Sequence, residues 1–184
     1  MLSGVQPRTA NQILSQRQLA AEVCRLAGRP AEWVSRVRLD AEGRWYEQVH
    51  MSDSYELWLI SWLPGHTTGF HDHGGANGAF SVVWGTLDEC VVPRSGALDG
   101  PGVPDDAGIP DGTGVLSGPV SVRTAGPGVV RSFGPHYIHD VRNTSKDSVA
   151  VSIHAYSPPL TAMTRYDLTP GGLVVAATET QDDW

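Results

Sequence analysis

Cysteine is nearly absent from this chain. Cys24 and Cys90 are the only two, in unlike contexts, and no disulfide framework is expected from them. None is required, because 184 residues are enough to bury a core without covalent staples. No continuous apolar run follows Met1, so no secretory signal is read, and a reduced, cytoplasmic protein is the expectation. Nor does any segment approach the roughly 20 apolar residues that a membrane span requires. Basic runs are missing too. The 13 Lys and Arg are scattered against 20 Asp and Glu, giving a net charge of -7 that argues against a nucleic-acid or anionic-membrane partner. Without an internal repeat or a second domain in view, residues 1–184 read as a single domain.

What is present changes in texture along the chain. Residues 9–28 read as a helix, with Thr9-x-x-Gln12 or Ser15-x-x-Gln18 as capping boxes and Gly28 and Pro30 as stop signals. Leu19, Val23 and Leu26 would form its buried stripe. From Tyr55 onward, segments 55–63, 79–84, 86–92, 120–124, 129–133 and 149–156 are rich in aromatic and β-branched residues between Gly and Pro breaks, which predicts strands. The expectation is an all-β antiparallel barrel over about residues 44–175, preceded by a helical cap over about residues 9–40. Residues 93–118, dense in Gly, Pro and Asp, read as a long surface excursion.

The most informative stretch is Gly65-His-Thr-Thr-Gly-Phe-His71-Asp-His73, continuing to Gly78. Side chains alternate faces along a strand, so His71 and His73 would project together if the segment is extended, with Asp72 pointing away. Imidazole nitrogens suit iron, copper, nickel or zinc better than magnesium or calcium. The spacing of Gly65, His71, His73 and Gly85 resembles the first signature of the cupin superfamily, with Gly78 where that signature carries Glu. Gly128, His139 and Asn143 resemble the second signature, although its Pro-x-Gly reads Gly134-Pro135-His136. This likeness implies a cupin barrel, a double-stranded β-helix or jelly roll, with His71, His73 and His139 around a metal. A structural zinc site would close its fourth position with Cys or His. Neither Cys24, in the helix, nor Cys90, at the far end of a strand, is placed to do so.

A second chemical signal lies in residues 149–160. Period-two alternation puts Val149, Val151, Ile153 and Ala155 on one face and Ser152, His154 and Tyr156 on the other. Three polar groups facing a barrel interior need partners, since an unsatisfied buried polar group costs about 1–3 kcal/mol. A Ser-to-His-to-Tyr hydrogen-bond relay would satisfy them. The competing reading is the solvent face of an edge strand.

Taken together, His71-Asp-His73 with Gly78, His139 with Asn143, and Ser152-x-His154-x-Tyr156-Ser-Pro-Pro-Leu160 resemble the cysteine dioxygenase family of thiol dioxygenases, over roughly residues 44–166. The resemblance implies Fe(II) held by His71, His73 and His139. It also implies an outer catalytic set of Ser152, His154 and Tyr156, with a small-molecule thiol and O2 as substrates and a sulfinate as product. Some members carry a Cys at the position of Gly78, crosslinked to the tyrosine matching Tyr156; Gly78 excludes that link here.

Substrate choice in this family turns on the group that meets the carboxylate. Members favouring cysteine place an Arg after a Tyr-x pair ahead of the first barrel strand. Those favouring 3-mercaptopropionate place a Gln there and an Arg after the Ser-Pro-Pro-Leu turn. This chain has Tyr46-Glu-Gln48 and Met163-Thr-Arg165, which resembles the mercaptopropionate branch, with Arg165 and Gln48 as substrate-binding residues and Arg44 as the alternative anchor. L-cysteine dioxygenase activity, giving cysteine sulfinate, is the nearest alternative. A metallo-cupin oxygenase acting on a non-thiol would not need the Ser152, His154, Tyr156 set, and a non-catalytic cupin module would not keep three ligands. His50 and His66 are expected on loops and His136 in a turn. Trp58, Ile60 and Trp62 share one strand face and read as packing.

Overall fold

The computed structural model describes residues 12–92 and 119–183. One α-helix, α1 (Gln16–Ala27), is followed by two short 3-10 turns at Pro30–Glu32 and Val34–Arg36. Eleven strands come next: β1 (Trp45–Met51), β2 (Glu56–Trp62), β3 (Phe70–His71), β4 (Asn77–Trp84), β5 (Leu87–Val91), β6 (Ser121–Ala125), β7 (Val130–Phe133), β8 (His139–Arg142), β9 (Ala150–Ser157), β10 (Ala162–Thr169) and β11 (Gly172–Thr180). They form two sheets, ordered β1-β2-β9-β4-β7 and β11-β10-β3-β8-β5-β6, and every paired strand is antiparallel. No helix among the described residues is long and apolar enough to cross a membrane.

The alternation in β9 builds both layers of the core. Val151, Ile153 and Ala155 face outward from the first sheet and pack with Leu57, Leu59 and the helix residues Leu19, Val23 and Leu26. Full burial of each such side chain contributes about 1.5–3 kcal/mol, so this one helix face holds α1 to the sheet. Ser152, His154 and Tyr156 face inward, toward a core that Trp62, Phe80, Phe133, Leu87 and Val141 fill from both sheets. Trp58 and Ile60 pack on that core beside Trp62, on the inner side of β2.

Several expectations change. The helix begins at Gln16, not residue 9, because Ser15 and Gln18 close the capping box. The chain just before it is tied to the sheet instead, with Leu14 N–H donating to Ser157 Oγ at 2.8 Å and Asn77 Nδ2 donating to Leu14 O at 3.1 Å. Thr9 and residues 93–118 lie outside the described residues. His50 sits in β1 rather than a loop, its ring 4.5 Å from that of Tyr55.

The strand expected through His71 and His73 stops at His71. Asp72 Oδ1 accepts the Gly74 N–H at 3.0 Å and turns the chain. Gly74 takes φ +57°, and a Cβ there would meet Ala162 O at 2.5 Å, so glycine is required at this crossing. Asp72 also accepts Thr164 N–H and Tyr166 O–H, which pins the segment against β10.

Candidate metal centre

His71, at the end of β3, pairs in register with His139, at the start of β8. His73 follows in the turn that Asp72 and Gly74 create. Three routes therefore converge on one point inside the barrel: one nitrogen from each of these histidines lies within 4.8 Å of the others, and all three rings are buried. Among the described residues this is the one group of side chains so arranged for a metal.

Each imidazole is prepared differently. A carbonyl only accepts, so the 3.0 Å contact of His71 Nδ1 with Gly69 O puts the proton on Nδ1 and leaves Nε2 as a lone pair. His139 Nδ1 lies 2.9 Å from Glu89 Oε1, which again leaves Nε2 for the centre. Burial pushes the Glu89 carboxyl upward, but hydrogen bonds and charge from His139, Tyr137 and Arg131 outweigh it and hold the group below its ordinary range. His73 has neither ring nitrogen hydrogen-bonded, although both are buried. Such an orphaned pair costs about 1–3 kcal/mol. A cation bound between the three rings would give one of these nitrogens the partner it lacks, so the residues fit a metal. Burial, then the neighbouring imidazoles, pulls His71 and His73 well below the ordinary histidine range, keeping them neutral as ligands must be. Three neutral nitrogen donors favour a first-row transition metal over magnesium or calcium.

The position where a fourth protein ligand would arise is closed. Gly78 lies in β4 opposite Phe133 of β7, and a Cβ on Gly78 would fall 2.0 Å from Phe133 Cε2. The Phe133 ring stacks on His73 at 4.8 Å and meets His139 edge-on at 4.9 Å. On its other side His73 stacks with Tyr156 at 5.0 Å.

Ser152, His154 and Tyr156 stand in the predicted order on the inner face of β9. Ser152 Oγ is 2.8 Å from His154 Nε2, and Tyr156 Oη is 3.3 Å from His154 Nδ1. Trp62 extends the series, since its Nε1–H can only donate and reaches Ser152 Oγ at 2.8 Å. The neutral His154 ring donates from one nitrogen and accepts at the other: with its proton on Nδ1 it accepts from Ser152 and donates to Tyr156 Oη, and with its proton on Nε2 it donates to Ser152 and accepts from Tyr156. Burial pushes His154 down to about 3, consistent with a neutral ring, and pushes the Tyr156 hydroxyl up.

Beside the histidines opens a cavity of about 240 Å³, walled by His71, His139, His154, Tyr156, Arg44, Arg165 and apolar groups including Trp58, Ile60 and Leu160. It is smaller than a drug-sized pocket of about 300–1,000 Å³. Arg165 lines it with its nitrogens engaged: Nε and Nη2 reach Glu179 Oε2 at 2.9 and 2.7 Å, and Nη1 reaches Thr68 O at 3.1 Å. Arg44 stacks on the Trp62 ring, 5.4 Å from its centroid, and makes no hydrogen bond or ion pair with the described residues. Burial, then the nearby Arg165 charge, lowers the Arg44 pKa. Gln48 is not among the cavity walls; it is exposed on β1, and its amide donates to Glu56 Oε2 at 2.9 Å. Glu56 in turn accepts Leu160 N–H, tying Gln48 to the Ser-Pro-Pro-Leu turn.

Sequence reasoning passed over Glu89 and treated Trp62 as packing alone. A signal for Glu89 existed: in Leu87-x-Glu89-x-Val91 a carboxylate shares an otherwise apolar, buried strand face. Trp62 carried no such mark, because its partner is 90 residues away.

A sequence profile of the family described as cysteine dioxygenase type I matches residues 8–169. No curated protein matches the chain. Among solved structures, the TT1209 protein of Thermus thermophilus is similar at 18% identity and a TM-score of 0.50, over 68% of this chain and 94% of that one. An RmlC-like cupin protein from Desulfovibrio desulfuricans gives 21% identity and a TM-score of 0.46, over 67% and 91%. A cupin superfamily protein from Desulfitobacterium hafniense gives 13% and 0.45, over 70% and 89%. At these identities the likeness concerns the fold alone. The architecture is that of a cupin: a double-stranded β-helix with a helix packed on one sheet.

Proposed function

The chain belongs to the cysteine dioxygenase type I family, and from that membership we propose that it is an Fe(II)-dependent thiol dioxygenase acting on a small thiol carboxylate, 3-mercaptopropionate in preference. The whole chain is taken as one catalytic cupin domain. The observation that carries the reading is the pair of unpartnered nitrogens on His73, grouped with His71 and His139, which themselves line a small cavity with guanidinium groups in its wall. The overall reaction, R–SH + O2 → R–SO2H, needs no added reductant, because the sulfur supplies the electrons. Bound to His71, His73 and His139, ferrous iron would supply the oxygen chemistry.

The chain's own residues do the rest. His71 and His139 each keep one nitrogen fixed as a donor to the protein, so the other faces inward without choice of tautomer. With His154 protonated on Nδ1, the Trp62, Ser152, His154 series delivers its last hydrogen bond to Tyr156 Oη and leaves the tyrosine proton to be directed at a substrate or oxygen atom in the cavity. Apolar walls from Ile60, Val141 and Leu160 limit water and hold a short carbon chain. Orientation of this kind is the protein's main contribution to the rate.

Tyr156→Phe should therefore retain iron, since the ring that stacks on His73 is kept, and lose about 10- to 100-fold in rate. A charge-assisted hydrogen bond of about 1.5–3 kcal/mol accounts for that range. Trp62→Phe should lose less, because it disturbs only the far end of the series. Steady-state oxygen uptake at equal iron content checks both. An unchanged Tyr156→Phe rate would reduce these residues to packing.

For the substrate's charged end, Arg44 and Arg165 are the candidates. Arg165 would share its charge with Glu179, whereas Arg44 has no hydrogen bond or ion pair among the described residues. A second reading, L-cysteine as substrate, would have Arg44 take the carboxylate in place of the arginine that family members favouring cysteine carry after the Tyr-x pair, where this chain has Gln48. Removing a charged hydrogen bond raises the apparent constant about 10- to 100-fold. Arg44→Ala should thus raise KM for both thiol carboxylates by that factor and Arg165→Ala by less, with cysteamine, which has no carboxylate, almost unaffected by either. Equal losses on cysteamine would make the two arginines supports of the fold. A higher kcat/KM for cysteine than for 3-mercaptopropionate would select the second reading.

A further inference from the structure

The three histidines are neutral donors, and Phe133 fills the space where a carboxylate ligand would stand. A divalent cation at this site therefore gets no negative charge from a ligand. One carboxylate nevertheless reaches the site at one remove. Glu89 lies on β5, the neighbour of β8, with Glu89 opposite Val141 and Val91 opposite His139. Its Oε1 receives His139 Nδ1 at 2.9 Å and Tyr137 Oη at 3.2 Å, and both Glu89 and His139 are 1% exposed. Its other oxygen makes no hydrogen bond and faces Arg131 Nε at 3.7 Å, which is also unbonded.

Burying a carboxylate is expensive unless its partners require the charge. Here two donors converge on one oxygen, and the ion pair on the other is long. The arrangement is a poor stabiliser of the fold and a good orienter of one imidazole. Of the three histidines, His71 is held by the neutral Gly69 carbonyl and His73 by no hydrogen bond at all. Glu89 is the one charged side chain hydrogen-bonded to any of them among the described residues.

We infer that Glu89 is a positioning residue of the metal centre, which takes the Nδ1–H of His139, sets the ring's tautomer and plane, and lends the cation its nearest negative charge. The inference rests on the reading of His139 as a ligand. Carboxylates that orient ligand histidines in this way change metal affinity by about 10- to 100-fold.

The test is Co(II) affinity of the metal-free protein, followed by visible absorption, for wild type, Glu89→Gln and Glu89→Met, each also in the His139→Ala background. Glu89→Gln keeps an acceptor oxygen in place and loses the charge; Glu89→Met loses both. We expect affinity to fall about 10-fold in Glu89→Gln and nearer 100-fold in Glu89→Met, with no further fall when either is added to His139→Ala. Thermal melting of the metal-free proteins establishes that each is folded. If Glu89→Met does not fold, Glu89→Gln alone decides. Wild-type affinity in folded Glu89→Gln, or the same fall with His139 already removed, would overturn the inference and leave the proposed function standing. Wild-type affinity in His139→Ala would instead remove the ligand assignment, and this inference with it.

Discussion

Replacing any one of His71, His73 or His139 with Ala should give a folded protein that purifies with less than about a tenth of the wild-type iron and shows no measurable oxygen uptake, where wild type carries about one iron per chain. The magnitude follows from the small number of donors. With Phe133 against Gly78 and no other ligating group converging among the described residues, a two-histidine remnant has nothing to recruit. Retention of the fold follows from the same geometry: the rings hang from β3, its turn and β8, whose backbone bonds do not depend on them. In metal-free protein the loss of His73 even removes two unsatisfied buried nitrogens. Metal analysis with far-ultraviolet circular dichroism checks the expectation. Full iron in His139→Ala would move the third ligand elsewhere, with His136, in the turn before β8, next to be tried.

Gly78→Ala should destabilise the metal-free protein by at least about 1–3 kcal/mol, the usual penalty of overpacking a filled core. In a chain of this size that lowers the melting temperature by about 2–4 °C for each kcal/mol. The added Cβ would stand 2.0 Å from Phe133 Cε2 and 2.3 Å from Cζ, and the ring has no free direction because it also stacks on Tyr137 at 5.1 Å and on His73. Phe133→Leu added to Gly78→Ala should recover part of the loss. Calorimetry of the single and double variants distinguishes this account from one in which Gly78 serves backbone freedom, since its φ is not positive and only the clash is at stake.

The parts of the fold legible in sequence were those with a strong local pattern. Residues 151–156 alternate apolar and polar without a break, and the structure has β9 there with its two faces divided as the alternation requires. The Ser15–Gln18 capping box and the stripe Leu19, Val23, Leu26 are of the same kind. Strands β1, β10 and β11 were not anticipated, because half-buried positions carry Glu47 and Arg165 as exposed ones carry Gln48 and Asp167, which blurs the period. They are strands through their partners: β1 through β2, and β10 through β3 and β11.

The candidate site was legible where spacing reports it and obscure where distance does. His71, His73 and His139 were marked by their intervals, yet alternation along a strand is the wrong reason for the first two to meet. They converge because Asp72 and Gly74 turn the chain after His71. Arg165 was visible, but not that Glu179, across the β10–β11 hairpin, holds it. Gln48 was expected at the cavity. A register shift in β1 between Gln48 and His50, together with the buried Glu56, gives its amide another partner.

The most direct test of the account is oxygen uptake by iron-loaded protein, with product analysis, against 3-mercaptopropionate, cysteine, cysteamine and mercaptosuccinate. The account predicts consumption of one O2 for each sulfinate formed, fastest with 3-mercaptopropionate at low concentration and dependent on His71, His73 and His139. Iron-loaded, folded protein that oxidises none of the four thiols would contradict it.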